Sequence, residues 1–134
     1  MARILVIDDE ADIRRVVRRY LETAGHEVIE AADGQAGITL YQQHPANLVI
    51  TDLFMPEQDG LETIRELRRT YKDARILVMT GIQLGGLFDF RAHAVLMGAQ
   101  RTLTKPFTRE ELLNAVGDIL AIEPGAARDR RSES

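Results

Sequence analysis

The sequence predicts an α/β protein in which five parallel strands form one sheet that helices cover on both faces. Short apolar segments rich in β-branched residues recur along the chain, as in strands buried on both faces. A segment in which apolar residues recur with helical spacing follows each of the five strands. Because parallel neighbours need a crossover connection, this alternation of strand and helix indicates a parallel sheet.

The first half of the chain contains three predicted strands and two predicted helices. The apolar positions of the first helix fall on one face: Ile13, Val16, Val17, Tyr20 and Leu21. Gly25 ends this helix; Pro45 ends the second one, in which Gly37 lowers the helix propensity. The elements predicted in chain order are strand Ile4–Ile7, helix Asp12–Ala24, strand Val28–Ile29, a turn at Asp33-Gly34, helix Gln35–Gln43 and strand Leu48–Ile50.

The second half of the chain continues the pattern with two more strands and three helices. A loop from Met55 to Gly60 precedes the third helix. Thr108 and Glu111 have the spacing of a capping box and predict the start of the last helix. The elements predicted in chain order are a helix through Leu61, Ile64 and Leu67, strand Ile76–Met79, helix Leu87–Met97, strand Arg101–Thr104 and a helix with Leu112, Val116, Ile119 and Leu120 facing inward.

Length and composition exclude several classes of protein. The 134 residues suffice for one domain, and the net charge of −4 weakly disfavours non-specific DNA binding. The absence of cysteine excludes a disulfide framework, a zinc–thiolate site and a cysteine nucleophile. The apolar run before Asp8, Ile4–Ile7, is only four residues long, so we expect neither a signal peptide nor a membrane span.

The predicted topology places a ligand site at one edge of the sheet. Five strands with right-handed crossovers favour the doubly wound, flavodoxin-like (βα)5 order 2-1-3-4-5. In such folds ligands bind outside the carboxyl ends of the strands, near the point where the strand order switches. The residues that follow strands here are acids, a hydroxyl and an amine: Asp8, Asp9, Asp52, Thr80 and Lys105.

These side chains indicate phosphoryl transfer onto an aspartate. Three carboxylates in one crevice repel one another unless a cation lies among them or some of them are protonated, and oxygen ligands of this kind suit Mg²⁺. A carboxylate can act as a nucleophile and become an aspartyl phosphate, while a metal ion and Lys105 spread the charge of the transferring group. Each residue alone has an ordinary structural explanation, as a helix cap, a turn former or a surface charge, but their placement at the ends of one sheet favours the site.

The sequence resembles the receiver domain of bacterial two-component response regulators. The resemblance rests on segments spread from about Arg3 to Ile122: Ile4 to Glu10, Leu48 to Pro56, Asp59-Gly60, Val78 to Gly81, Gly98-Ala99 and Thr104 to Phe107. It implies that Asp52 is the phosphoacceptor and that Thr80 and Lys105 contact the phosphoryl oxygens. It also implies that Asp9 and Asp52 bind Mg²⁺ through carboxylates, Phe54 through its backbone carbonyl and Asp8 through water, and that the Lys105-Pro106 peptide is cis.

The resemblance further implies how such a domain works. We expect residues 1–122 to form the receiver and residues 123–134 a disordered tail, in a stand-alone, cytoplasmic, non-enzymatic switch without an output domain. The phosphodonor would be a sensor histidine kinase or a histidine phosphotransfer protein. A downstream protein would bind the face formed by the last two predicted helices and the strand between them, where a phosphorylation-dependent homodimer is also possible. We expect no direct nucleic acid or membrane partner.

Two alternatives to a stand-alone switch stay open. Many receivers carry Tyr or Phe three residues before the lysine, and this sequence has Thr102 there, so a scaffold receiver with little switching is an alternative. Another alternative is the truncated receiver of a larger regulator. A haloacid dehalogenase-type phosphatase would need a cap domain, for which 134 residues leave no room. A flavin or nucleotide binder would need glycine-rich motifs that this sequence does not contain.

A basic stripe on the first helix has two interpretations. Its members are Arg14, Arg15, Arg18 and Arg19. A charged stripe is usually a solvated face; by resemblance it would instead be a docking face for the kinase beside the acidic site. Four charges are too few and too local to indicate DNA binding.

Overall fold

The computed structural model of the protein describes residues 2–52, 60–81 and 98–121. Within these ranges the strands are β1 (Arg3–Ile7), β2 (Glu27–Ala31), β3 (Leu48–Asp52), β4 (Ile76–Thr80) and β5 (Arg101–Thr104). The helices are α1 (Ala11–Thr23), α2 (Gly34–Gln43), α3 (Gly60–Thr70) and a C-terminal helix (Arg109–Leu120). Of the predicted loop Met55–Gly60, residues 55–59 lie outside the described residues, and Gly60 is not in a loop but begins α3. The predicted helix Leu87–Met97 and the predicted tail 123–134 also lie outside the described residues.

The strands form one parallel sheet in the order β2-β1-β3-β4-β5, which confirms the predicted topology. Successive side chains of a strand point to opposite faces, so each apolar strand supplies two cores. Ile4 and Val6 of β1 pack on one face with α1 and the C-terminal helix, and Leu5 and Ile7 pack on the other with α2 and α3. The same division of alternate residues continues through β3 and β4.

Helix ends follow local capping chemistry. Thr108 and Glu111 form the predicted capping box at the start of the C-terminal helix. The predicted turn at Asp33-Gly34 is wrong in detail: the Asp33 side chain accepts a hydrogen bond from the Ala36 backbone N–H, so Asp33 is the N-cap and Gly34 the first residue of α2. Aspartate is common both in turns and at helix N-caps, and only the conformation of the backbone that follows distinguishes the two.

The predicted apolar face of α1 is only partly covered by the rest of the protein. Val17 and Leu21 are buried and Ile13 and Tyr20 are partly buried, but Val16 is 45% exposed. The apolar face of α1 is wider than the surface that the sheet covers.

None of the helices in the described part of the chain combines the length and the apolarity that crossing a membrane requires.

Candidate functional site

The carboxyl ends of the neighbouring strands β1 and β3 bring the predicted acidic residues together. Carboxylate oxygens of Asp8, Asp9, Glu10 and Asp52 all lie within 4.8 Å of one another. Asp8 directly follows β1 and Asp52 ends β3, both inside the sheet, and both are almost fully buried, whereas Asp9 and Glu10 are exposed in the β1–α1 loop. We call these four residues the acidic cluster.

Lys105 joins the acidic cluster from the loop after β5. Its Nζ lies 3.1 Å from Oδ2 of Asp8 and 3.2 Å from Oδ2 of Asp52. Burial works to lower the pKa of the Lys105 ammonium, but the charges and hydrogen bonds of Asp52 and Asp8 outweigh it and raise the pKa above its usual value. The peptide between Lys105 and Pro106 is cis, as expected from the resemblance.

Thr80 ends β4, the strand next to β3, and its hydroxyl is buried. The Thr80 Oγ1 atom has no hydrogen-bond partner within the described part of the chain. The Thr80 carbonyl accepts a hydrogen bond of 2.6 Å from the Lys105 backbone N–H, which fixes the two residues next to each other. A buried hydroxyl without a partner is costly, so this one is available to a ligand at the sheet edge.

The acidic cluster fits a hard divalent cation. All its donor atoms are oxygens, and Lys105 alone does not balance four carboxylates held so close together. Glu10, which the sequence analysis did not assign to the site, belongs to the cluster. It occupies the N-cap position of α1 without a side-chain capping bond, so its carboxylate is not used by the helix. Phe54, the predicted backbone ligand, lies outside the described residues.

The basic stripe on α1 is largely paired with acids. Arg14 and Arg18 both bind Glu30 of β2, with nitrogen–oxygen distances of 3.1 and 2.6 Å. Arg15 lies 3.2 Å from Asp12 on the exposed side of the helix. The stripe is therefore not a uniform basic face, because half of it turns towards β2.

The comparisons of this chain with known proteins agree on one family. The family model described as the response regulator receiver domain matches residues 4–117. This chain belongs to that family. Receiver domains bind Mg²⁺ at an acidic pocket and interact with histidine kinases or phosphotransfer proteins and with downstream targets. They are generally signalling proteins without an enzymatic function.

Individual relatives support the assignment to the receiver family. The chain is 32% identical to the chemotaxis protein CheY of Bacillus subtilis over 119 residues, which are 88% of this chain and 97% of that protein. It is 38% identical over 118 residues, 88% of this chain, to the "Probable transcriptional regulator ycf27" of Cyanophora paradoxa, and spans 48% of that relative. A receiver domain structure from Clostridium thermocellum matches with a TM-score of 0.82 at 31% identity, covering 90% of this chain and 94% of that one.

The chain thus spans about half the length of several curated relatives that it matches. It spans nearly all of CheY. The shared part is the receiver in both cases, and the match to the receiver family model supports the fold and the class of signalling domain.

Proposed function

We propose that this receiver is a phosphorylation-controlled switch in which Asp52 accepts a phosphoryl group from a phosphohistidine. The observation that carries the proposal is the pairing of Asp52 with Lys105, at 3.2 Å, within the acidic cluster. A carboxylate at the end of a buried strand beside a fixed cation is suited to attack phosphorus, because the cation offsets the charge of the incoming group.

The transfer requires one bond to form and one to break. A carboxylate oxygen of Asp52 attacks the phosphorus atom, the phosphorus–nitrogen bond of the phosphohistidine breaks, and the imidazole keeps the electron pair. The product is a mixed anhydride, the aspartyl phosphate. Lys105 would bind one phosphoryl oxygen, and the Thr80 hydroxyl, which has no hydrogen-bond partner among the described residues, would donate a hydrogen bond to another.

Asp8, Asp9 and Asp52 would hold Mg²⁺, with Glu10 at the same cluster. Bound there, the ion supplies charge neutralisation for the phosphoryl oxygens. The role of the Phe54 carbonyl as a further ligand stays a prediction from the resemblance.

Acetyl phosphate tests the assignment of Asp52. With Mg²⁺ we expect the intact mass to rise by one phosphoryl group, and we expect no rise with Asp52→Asn or in the presence of a chelator. Asp12→Asn is the matched control, since Asp12 is an exposed acid on α1 and its substitution leaves labelling intact. Labelling that persists in Asp52→Asn would contradict the proposal.

The phosphodonor is proposed to dock on α1 and on the loop after β5. A groove of about 400 Å³ lies there, next to the site, lined by Ile13, Val16, Val17, Gly81, Lys105, Pro106 and Phe107. A helix of the donor with an apolar ridge fits this lining and would cover the exposed Val16 side chain. We expect Val16→Asp to slow transfer from the cognate kinase while labelling by acetyl phosphate is unchanged; equal slowing with both donors would contradict the docking site.

The output face is proposed to include β5 and the C-terminal helix. In the described part of this face, Arg101 and Asp118 form an exposed ion pair and Thr102 is partly buried on β5. Phosphorylation-dependent binding of a downstream protein, or of a second copy, would use this surface. Sedimentation with and without acetyl phosphate tests the homodimer, and Asp118→Lys should weaken it.

A receiver that is phosphorylated but switches little is the second candidate, and Thr102 favours it. A threonine side chain is too small to fill the space that an aromatic side chain occupies in many receivers. Backbone amide shifts on phosphorylation separate the two candidates: shifts confined to the site favour the scaffold, and shifts that extend along β5 and the C-terminal helix favour the switch. The reading frame of the parent gene decides whether the receiver acts by itself or within a larger regulator.

A further inference from the structure

Arg14 of α1 contacts the backbone that carries the acidic cluster. Its Nη1 donates a hydrogen bond of 2.5 Å to the carbonyl oxygen of Asp8. This carbonyl belongs to the peptide that joins Asp8 to Asp9, and its orientation decides where the exposed Asp9 side chain points relative to buried Asp8. Arg14 therefore contacts the β1–α1 loop behind its carboxylates.

The other polar atoms of Asp8 are held by different elements. Its N–H donates to the Ala31 carbonyl at 3.1 Å, and its Oδ1 accepts from the Glu10 N–H at 2.8 Å. Its Oδ2 contacts Lys105. Among the described residues, Arg14 is the group that fixes the carbonyl, so without it the peptide after Asp8 is free to rotate and to bind water instead.

Arg14 itself is anchored by Glu30 of β2. The Arg14 Nε lies 3.1 Å from Glu30 Oε1, and Arg18 Nη1 lies 2.6 Å from Glu30 Oε2. The hydrogen bond from Arg18 lowers the pKa of the Glu30 carboxyl, against the effect of burial, and the bond from Arg14 lowers it further. The Arg14 side chain is 18% exposed, against 76% for neighbouring Arg15, so Arg14 is held between helix and sheet.

We infer that Arg14, anchored by Glu30, is a positioning residue that orients the Asp8–Asp9 peptide for binding of a divalent cation. The inference rests on the proposed Mg²⁺ site and adds a residue outside it. Groups that orient metal ligands from behind change metal affinity by about 10-fold to 100-fold when they are removed.

Loss of the Arg14 charge and loss of its positioning role should change the Mg²⁺ affinity of Arg14→Gln in opposite directions, so the direction of the change distinguishes them. Removal of a nearby positive charge should tighten Mg²⁺ binding, since the cation no longer competes electrostatically with the ion. Loss of positioning should weaken it. Arg15→Gln removes the same charge from the next residue of α1 without touching the loop, and it is the matched control.

The experiment is a Mg²⁺ titration of the full chain followed by amide NMR shifts, with the free energy of unfolding of each metal-free variant measured separately by urea. We expect the Kd of Arg14→Gln to rise by about tenfold and that of Arg15→Gln to be unchanged or slightly lower. A Kd for Arg14→Gln equal to or below that of the wild type would overturn the inference while leaving the Mg²⁺ site standing.

A second variant keeps the inference testable if Arg14→Gln does not fold. Glu30→Gln loosens the anchor but leaves the Arg14 guanidinium in place, and we expect its Kd to rise by about threefold. Glu22→Gln, which removes an exposed acid that also pairs with Arg18, should leave the Kd within error of the wild type. Equal effects of the two glutamate variants would overturn the inference. A wild type that shows no Mg²⁺ response, and equals Asp9→Asn, would overturn the proposed site and the inference with it.

Discussion

Gly37 lies where α2 packs against β1, and an alanine at this position tests how closely the helix and the sheet approach. A Cβ added to Gly37 would lie 2.3 Å from Cδ1 and 2.7 Å from Cγ1 of Ile7. Ile7 is fully buried and cannot turn its side chain into solvent. Since carbon atoms in contact are about 3.5–4.0 Å apart, Ile7 or the helix must move by roughly 1 Å to admit the methyl group.

The expected change in stability combines two opposing effects. Alanine has a higher helix propensity than glycine by about 1 kcal/mol. Insertion of a methyl group into a packed core costs about 1–3 kcal/mol. The net effect of Gly37→Ala is a loss of about 1 kcal/mol in the free energy of unfolding.

Gly117 is the matched control for this prediction. It lies on the exposed side of the C-terminal helix, and a Cβ added there has no heavy atom within 4 Å. Gly117→Ala should therefore stabilise the protein by up to about 1 kcal/mol, so the two variants differ by about 2 kcal/mol.

Urea unfolding followed by far-ultraviolet circular dichroism measures both variants, and it suits a chain without tryptophan. The m-value should stay constant, so that the midpoint reports stability. If Gly37→Ala is stabilised as much as Gly117→Ala, α2 does not pack on Ile7 as closely as the structure indicates, and the reasoning from the close approach is wrong.

Three further predictions concern charged groups. Lys105→Met leaves the buried carboxylates of Asp8 and Asp52 without their shared cation, and it should lower the free energy of unfolding in metal-free buffer by about 3 kcal/mol, partly restored by Mg²⁺; a variant as stable as the wild type would contradict the ion pairs. Asp52→Asn relieves repulsion within the acidic cluster and should raise the metal-free stability by about 1 kcal/mol, as urea unfolding with chelator can measure; a loss of similar size would show that the attraction to Lys105 dominates. Burial and the nearby N-terminal charge lower the pKa of His26, so the stability it contributes is present above its usual pKa of 6.5 and is lost as the pH falls through the lower folded value. Unfolding between about pH 8 and pH 5 should therefore be less pH-dependent in His26→Gln than in the wild type, with exposed His44→Gln as the control, and equal pH dependence of all three proteins would contradict this prediction.

The site was largely predictable because its residues stand at the ends of strands. In a parallel sheet the carboxyl ends of all strands meet at one edge, so the positions of Asp8, Asp52 and Lys105 in the sequence already indicate that they meet in space. The Lys105 contacts of 3.1 and 3.2 Å agree with this prediction.

Positions on α1 were predicted less well because a helix pattern shows which residues share a face but not how wide a face the sheet covers. Val16 belongs to the apolar face by spacing, yet it lies beyond the covered surface. Arg14 and Arg18 belong to a basic stripe by spacing, yet both pair with Glu30. That partner lies on another element, and no spacing within the helix indicates it.

The sequence by itself determined the order of strands and helices, the two-sided sheet and the group of acids with one lysine at its edge. Those features follow from local patterns, namely apolar runs, helical spacing and polar residues after strands. Only the tertiary structure decided that Glu10 joins the acidic cluster, that the Thr80 hydroxyl has no partner among the described residues and that Arg14 holds the Asp8 carbonyl. Each of these depends on distances of a few ångströms between elements, which packing sets and which a one-dimensional pattern does not contain.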